Sequence, residues 1–387
     1  MLQPPSRIRG PLLALASLAL LAVGLEVGSR AWIAYRWPAG RARQLLAPLG
    51  PVAGYVFDPQ LGYRLEPDRQ RTDATGKRFR HNHLGVRGPE ISRVKPEGVR
   101  RILLLGDSTV YGPYVDETET SAAQLQQRLA QGLDGARVQV VNAGVPAWTS
   151  RETRLNLLLH LAELSPDALV VMEGRNELFP ELFRSYRSDY SHYRRIGYDY
   201  RRGNRIPRRL FRWSRAWMLL STRHGERLGY SSLDERPPYA YVRWENLPDE
   251  SQIAALARRP GILEGFRRNL EADLDFASAR GILAVLASIP FRVEGYRSGV
   301  IRGSPRIYPV LSELMRRNNA LTRAIAAERG VPFVDGASLS RARYLVDDCH
   351  LNADGERELA RLFARALEPL LGPRARARGG AGEGPSG

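Results

Sequence analysis

Arg101-Ile102-Leu103-Leu104-Leu105-Gly106-Asp107-Ser108-Thr109 decides the fold. Four consecutive aliphatic residues, Ile102 to Leu105, make a run too short for a buried helix and apolar on both faces, which predicts a strand covered on each side. Gly106-Asp107-Ser108 then turns the chain at the strand's end. Outward from this stretch the same kind of run returns at Val138-Gln139-Val140-Val141, Ala168-Leu169-Val170-Val171-Met172, Ile282-Leu283-Ala284-Val285-Leu286 and Val331-Pro332-Phe333-Val334. Helical patterns separate the runs, over about 120–131, 150–163, 262–280, 308–328 and 353–371. Strands alternating with helices predict a parallel sheet, because each crossover must carry the chain back to the same end. The expected fold class is therefore three-layer α/β/α with a parallel five-stranded sheet over residues 99–371.

In an open sheet of this kind ligands bind at the carboxyl ends of the strands. The residues there are small and polar: Gly106-Asp107-Ser108-Thr109, Asn142-Ala143-Gly144, and Glu173-Gly174-Arg175-Asn176-Glu177. Just before the last helix stands Asp347-Asp348-Cys349-His350-Leu351-Asn352. A serine hydroxyl is a poor nucleophile until an imidazole takes its proton, and a carboxylate must hold that imidazole in the right tautomer. Asp347, three residues before His350, is within reach of its ring in a tight loop. A tetrahedral oxyanion needs preorganised donors, available from the Ser108 and Gly144 amides and the Asn176 side chain.

These four ordered blocks resemble the SGNH hydrolases, also called the GDSL family, over roughly residues 100–371 without the long insertion. The resemblance implies a flavodoxin-like sheet and ester hydrolysis through an acyl-enzyme. It implies Ser108, Asp347 and His350 as catalytic residues, Ser108, Gly144 and Asn176 as the oxyanion hole, and neither metal nor cofactor. Asn82-His83-Leu84-Gly85-Val86-Arg87-Gly88 is similar to the lead-in of membrane-linked members. Two positions depart from the pattern: Thr109 stands where leucine is nominal and is expected to line the pocket, and Glu177 stands where aspartate is frequent.

Upstream, residues 1–10 are a short basic start, and 11–35 form an apolar run interrupted only by Glu26 and Arg30. If these two charges pair at one turn, the run is long enough to span hydrocarbon, with Trp32, Tyr35 and Trp37 at the interface. A transmembrane signal anchor is expected; a cleaved signal peptide with Ala22 and Gly24 before the cut is the competing reading. The basic start before a short leader favours an N-in anchor and an extracytoplasmic, periplasmic body, although Arg30, Arg36, Arg41 and Arg43 outnumber Arg7 and Arg9. Residues 36–98 are expected to be a linker and small β-rich lead-in, and 372–387, rich in Arg, Gly and Pro, a disordered tail.

The net charge of +17 comes from 58 basic residues, of which only Lys77 and Lys95 are lysines. No zinc-finger, RRM or helix-turn-helix pattern accompanies it, so no nucleic-acid partner is expected. The single cysteine, Cys349, excludes an intramolecular disulfide. His81 and His83 have alternate spacing that suits two imidazoles on one strand face, but no acidic or Cys cluster nearby completes a metal site. The insertion at about 179–260 is dense in Arg and Tyr: a solvated flap, or a lid with aromatic faces for sugars and arginines for anionic groups. Taken together the sequence predicts a membrane-anchored serine esterase acting on acetyl or short-chain acyl esters of a cell-envelope glycan or lipid. The alternatives are an O-acetyltransferase modifying an exported polysaccharide and a catalytically silent, basic envelope-binding protein.

Overall fold

The computed structural model describes residues 9–36, 46, 54–58, 60–73, 75–133, 137–194, 214–216, 219, 242, 246, 248–292 and 307–372. Most of the linker, residues 195–213 of the insertion with Tyr198, Tyr200, Arg201 and Arg202, and the tail from 373 lie outside the described residues. The chain divides into two compact units, Met1–Tyr55 with Gly197–Tyr241, and Val56–Ile196 with Val242–Gly387.

The first unit contains α1 (Arg9–Arg36), long and apolar enough to cross a membrane and compatible with an anchor or a signal sequence. In the second, β1 (Tyr55–Asp58) pairs with β2 (Gly62–Leu65), and β3 (Arg69–Thr72) pairs antiparallel with β4 (Arg78–His81). Next come β5 (Val99–Gly106), α2 (Ser108–Tyr111), α3 (Ser121–Gly132), β6 (Arg137–Gly144), α4 (Ser150–Asn156), β7 (Ala168–Met172) and α5 (Leu178–Leu182). After the insertion follow α6 (Glu250–Leu256), α7 (Glu264–Ala279), β8 (Leu283–Ala287), α8 (Tyr308–Glu328), β9 (Phe333–Val334) and α9 (Ala353–Leu371).

Strands β5 to β9 form one parallel sheet in the order β6-β5-β7-β8-β9, the flavodoxin-like order. Alternate residues of β5 face opposite layers. Ile102 and Leu104 pack with Leu125 and Leu129 of α3 and Leu359 and Phe363 of α9, whereas Leu103 and Leu105 pack with Leu157, Leu161, Phe266 and Leu270. Three layers result. Strand order reverses at β5, where Gly106 lies between Gly144 and Met172 at the carboxyl edge, the position at which such sheets bind ligands.

The helix expected over 150–163 is not uniform. After α4 the chain takes a π turn, Leu157–Leu161, and a 3₁₀ turn, Ala162–Leu164. The wider turn keeps Leu157, Leu161 and Leu164 all buried while Leu158 and Leu159 stay outside. The last strand is shorter than its apolar run, since Pro332 has no N–H to give the ladder and contributes only its carbonyl, to Leu286.

Candidate active site

The turn after β5 is wired to itself. Asp107 Oδ1 accepts from the Thr109 amide and hydroxyl, both at 2.8 Å, which starts α2 with Ser108 as its first residue. Thr109 is therefore buried and committed to Asp107, and does not line a pocket as its sequence position suggested. Burial raises the Asp107 carboxyl above the ordinary range, against the Thr109 hydrogen bonds and the charges of His350 and Arg175.

From outside the sheet, the Asn82–Gly88 stretch buttresses this turn. Asn82 Oδ1 accepts from the Leu84 and Val86 amides, and Gly85, at φ 72, passes so close to Leu65 that a Cβ would sit 2.9 Å from its carbonyl. The loop delivers buried Arg87, whose amide donates to Asn142 O and whose guanidinium donates to the carbonyls of Tyr111, Gly112 and Val115. His81 Nε2 meets Tyr111 Oη at 3.0 Å, and burial lowers its pKa to about 4. His83 is exposed on Glu90 instead, so the two imidazoles do not share a face.

Opposite Ser108 stands the loop before α9. His350 Nε2 lies 2.8 Å from Ser108 Oγ, and His350 Nδ1 lies 2.7 Å from Asp347 Oδ2. Asp347 Oδ1 also accepts from the His350 and Cys349 amides at 2.8 and 3.1 Å. Burial alone would raise the Asp347 carboxyl; the His350 ring and these amides outweigh it and hold the group at about 2. Tyr114 meets the imidazole edge-on, with ring centroids 5.4 Å apart. Asn352 caps α9 by accepting from Gly355 N.

Asp348 is buried in a 2.8 Å ion pair with Arg175. The Arg175 guanidinium lies over the rings of Phe179 and Phe291 and so ties the His350 loop to the end of β7. Cys349 is buried, which pushes its thiol up, away from the reactive thiolate. Ligand-type atoms of Asp347, Cys349 and His350 lie within 4.8 Å of one another. Both ring nitrogens of His350 are already engaged by Asp347 and Ser108, so this donor set does not suit a cation.

The loop after β6 departs from expectation. The Gly144 amide donates to Asn142 Oδ1 at 3.1 Å, so in this structure its hydrogen is taken within the loop and not left open to a ligand. Its lack of a side chain serves packing, since a Cβ there would stand 2.3 Å from the Tyr111 nitrogen and 2.8 Å from Asp107 O. Three residues on, Ala147 has φ 63, a conformation L side chains avoid. Tyr63 Oη holds Pro146 O at 2.8 Å, and across a trans peptide the Ala147 N–H points the other way. Among the described residues neither the Ser108 nor the Ala147 amide makes a hydrogen bond.

This loop is clamped from three sides. Trp148 O accepts from Asn176 Nδ2 at 2.9 Å, and the same nitrogen donates to Asp107 Oδ2 at 3.1 Å, which occupies both amide hydrogens. Arg194, from the insertion, donates to Ala147 O, lies 3.8 Å from Glu152 Oε2 and stacks over Tyr63 and Tyr193. Glu177 accepts from Ser150 N and Tyr190 Oη; burial raises it to about 7 against these bonds. Within the insertion, Tyr190, Tyr193 and Arg194 are thus buried structural groups and no open face for sugars or anions. Arg87, Arg175, Arg194, Tyr63 and Ala147 carry no sequence signal of these roles apart from Arg175 adjoining Asn176 and Arg87 closing the lead-in motif.

Residues 104–217 match the model of the GDSL-like Lipase/Acylhydrolase family. Ser108, Gly144 and Asn176 lie within this GDSL-like segment; Asp347 and His350 lie beyond it. A family of lipases and acylhydrolases is a family of ester-type hydrolases. No curated protein matches the chain. Among solved structures it is similar to an acetyl xylan esterase from Geobacillus stearothermophilus, at 15% identity over 71% of this chain and 97% of that one, TM-score 0.40. It is similar also to a lipase/acylhydrolase from Enterococcus faecalis, at 17% identity over 70% and 96%, TM-score 0.38.

Proposed function

We propose that this GDSL-like chain is a membrane-anchored serine esterase that hydrolyses acetyl or short-chain acyl esters of a cell-envelope glycan or lipid. The hydrogen-bond chain from Asp347 through His350 to Ser108 carries the reading, because it is the arrangement that makes a serine hydroxyl nucleophilic. Ser108 Oγ attacks the ester carbonyl as His350 Nε2 takes its proton, with Asp347 holding the ring. The tetrahedral intermediate collapses, the ester C–O bond breaks, and His350 returns the proton to the leaving alcohol. Water, deprotonated by the same imidazole, then releases the acid from Ser108.

The Ser108 amide is the first oxyanion donor, joined by the Ala147 amide in place of Gly144. Asn176 Nδ2 serves by releasing one of its two internal acceptors. The catalytic domain spans 99–371, with 11–35 as a retained anchor and 36–98 as linker and buttress; the basic start at Arg7 and Arg9 favours an extracytoplasmic body. The test is fluorophosphonate labelling and p-nitrophenyl acetate turnover of the full chain beside Ser108→Ala. Labelling and turnover confined to the unsubstituted protein are expected; equal labelling of Ser108→Ala would remove Ser108 as nucleophile.

A further inference from the structure

The anchor helix α1 carries a carboxylate where hydrocarbon offers no donors. Its 28 residues rise about 42 Å, more than the ~30 Å of a hydrocarbon core, and Glu26 lies about 15 Å before the Arg36 end. A charged group at such depth must be fully partnered. Arg30 Nε supplies one hydrogen bond, at 2.7 Å. The others come from far along the sequence: Ser214 Oγ donates to Oε2 at 2.9 Å, the Arg215 amide to Oε1 at 3.0 Å and the Ala216 amide to Oε2 at 3.0 Å. Beyond them, Leu219 lies in an apolar groove with Leu21, Gly24, Leu25 and Gly28 of the helix. All these residues belong to the same compact unit.

We infer that the insertion returns to the bilayer and packs on the anchor, the segment around Ser214–Leu219 being the occupant of the Glu26 face of α1. The inference rests on the reading of α1 as a membrane span and sharpens it. Four donors converge on one carboxylate, and they satisfy it without water, as a lipid environment demands. The sequence there, Trp213-Ser214-Arg215-Ala216-Trp217-Met218-Leu219-Leu220, is apolar around its one arginine, as an element at membrane depth must be. A leader cut after Gly24 would remove Leu21 and Gly24 from the groove that holds Leu219 and would leave Glu26 beside a free amino terminus instead of inside a span. The arrangement therefore requires that α1 stay attached to the mature chain.

The test uses the full chain in phosphatidylethanolamine/phosphatidylglycerol vesicles. Leu25→Cys combined with Leu219→Cys is oxidised and the joined peptides are sought by mass spectrometry, each single variant serving as control beside buried Cys349. A nitroxide on Leu219→Cys reports depth through its accessibility to oxygen and to a water-soluble nickel chelate. The expected result is a disulfide joining positions 25 and 219 of the double variant, an oxygen-accessible and nickel-protected nitroxide, and a mature chain that retains Leu21 and Gly24. Glu26→Ala should lower cross-link yield at least ~tenfold, with Glu26→Gln, which keeps an acceptor, in between. Absence of the cross-link, a nickel-accessible nitroxide, or a mature chain beginning at Leu25 or later would overturn the inference. Fluorophosphonate labelling of the same samples shows that each variant is folded and reads the catalytic proposal separately, so either can fail alone.

Discussion

Two turns leave the carboxyl edge of the sheet side by side, after β5 and after β6, and they are built in opposite ways. The first is set by consecutive residues, Asp107 accepting from Thr109 with Ser108 between them, and is braced from outside by Arg87 and Asn176. The second is held from a distance, by Tyr63 from the lead-in, Asn176 from the end of β7 and Arg194 from the insertion. A local turn writes its purpose into consecutive residues. A remotely held turn does not, and the donor assigned to Gly144 from sequence proved to be spent on Asn142.

The largest effect should come from removing the chemistry beside the first turn. His350→Ala should lower p-nitrophenyl acetate turnover by roughly 10³-fold or more while leaving the thermal midpoint nearly unchanged. If the second turn works through its clamp, Arg194→Ala should cost about 10²-fold in kcat with a much smaller change in KM, since it displaces a donor and not a binding surface. Millimolar guanidinium should restore part of that loss; unchanged kcat in a folded Arg194→Ala would make the clamp irrelevant to turnover. Smaller still is the contrast between the two small residues of the loop. Gly144→Ala, meeting the Tyr111 nitrogen and Asp107 O, should destabilise by about 1–3 kcal/mol in urea titration. Ala147→Gly should be neutral or stabilising by up to about 1 kcal/mol, because it relieves φ 63.

The acids buried around the sheet add a pH dependence of the whole molecule. Burial raises Asp273 to about 8, against Arg154, and raises Glu356 to about 7, against its hydrogen bond from Ser121; Glu177 lies at about 7 as well. Unfolded, these carboxyls titrate near 4, so between that pH and their folded values the native state holds more protons and stability falls as pH rises. His81, lowered to about 4 by burial, acts in the opposite sense only below about 6.5. From pH 6.5 to 8 the acids alone count, and the urea midpoint should decline, with the unfolding free energy falling by on the order of 1 kcal/mol per pH unit for Asp273. A midpoint that rises over this interval would contradict their protonated burial.

The same local-versus-remote division decides what was legible in the sequence. Tyr308–Glu328 and Ala353–Leu371 appear over the ranges their periodicity gives, because burial on a fixed face imposes the period, and Ala168–Met172 over its continuous apolar run, because it is buried on both faces. Ser108, Asp347 and His350 were readable since each sits in a short turn with its own determinants. Arg87, Arg175 and Arg194 were not, because a buried arginine shows no pattern until its carbonyl and carboxylate partners are known. Among so many arginines, those three looked like any others. Thr109 faces inward for a related reason: a polar residue beside a site gives no sign in the sequence of which way it points.

One small pairing has wider reach. Arg194 and Val242 bridge antiparallel and close the neck of the insertion where it departs from the catalytic unit. Pinning the neck holds the two ends of the intervening chain side by side, so that Arg194 stays in register with Ala147 O and the loop after β6 takes its position from a pairing far along the sequence.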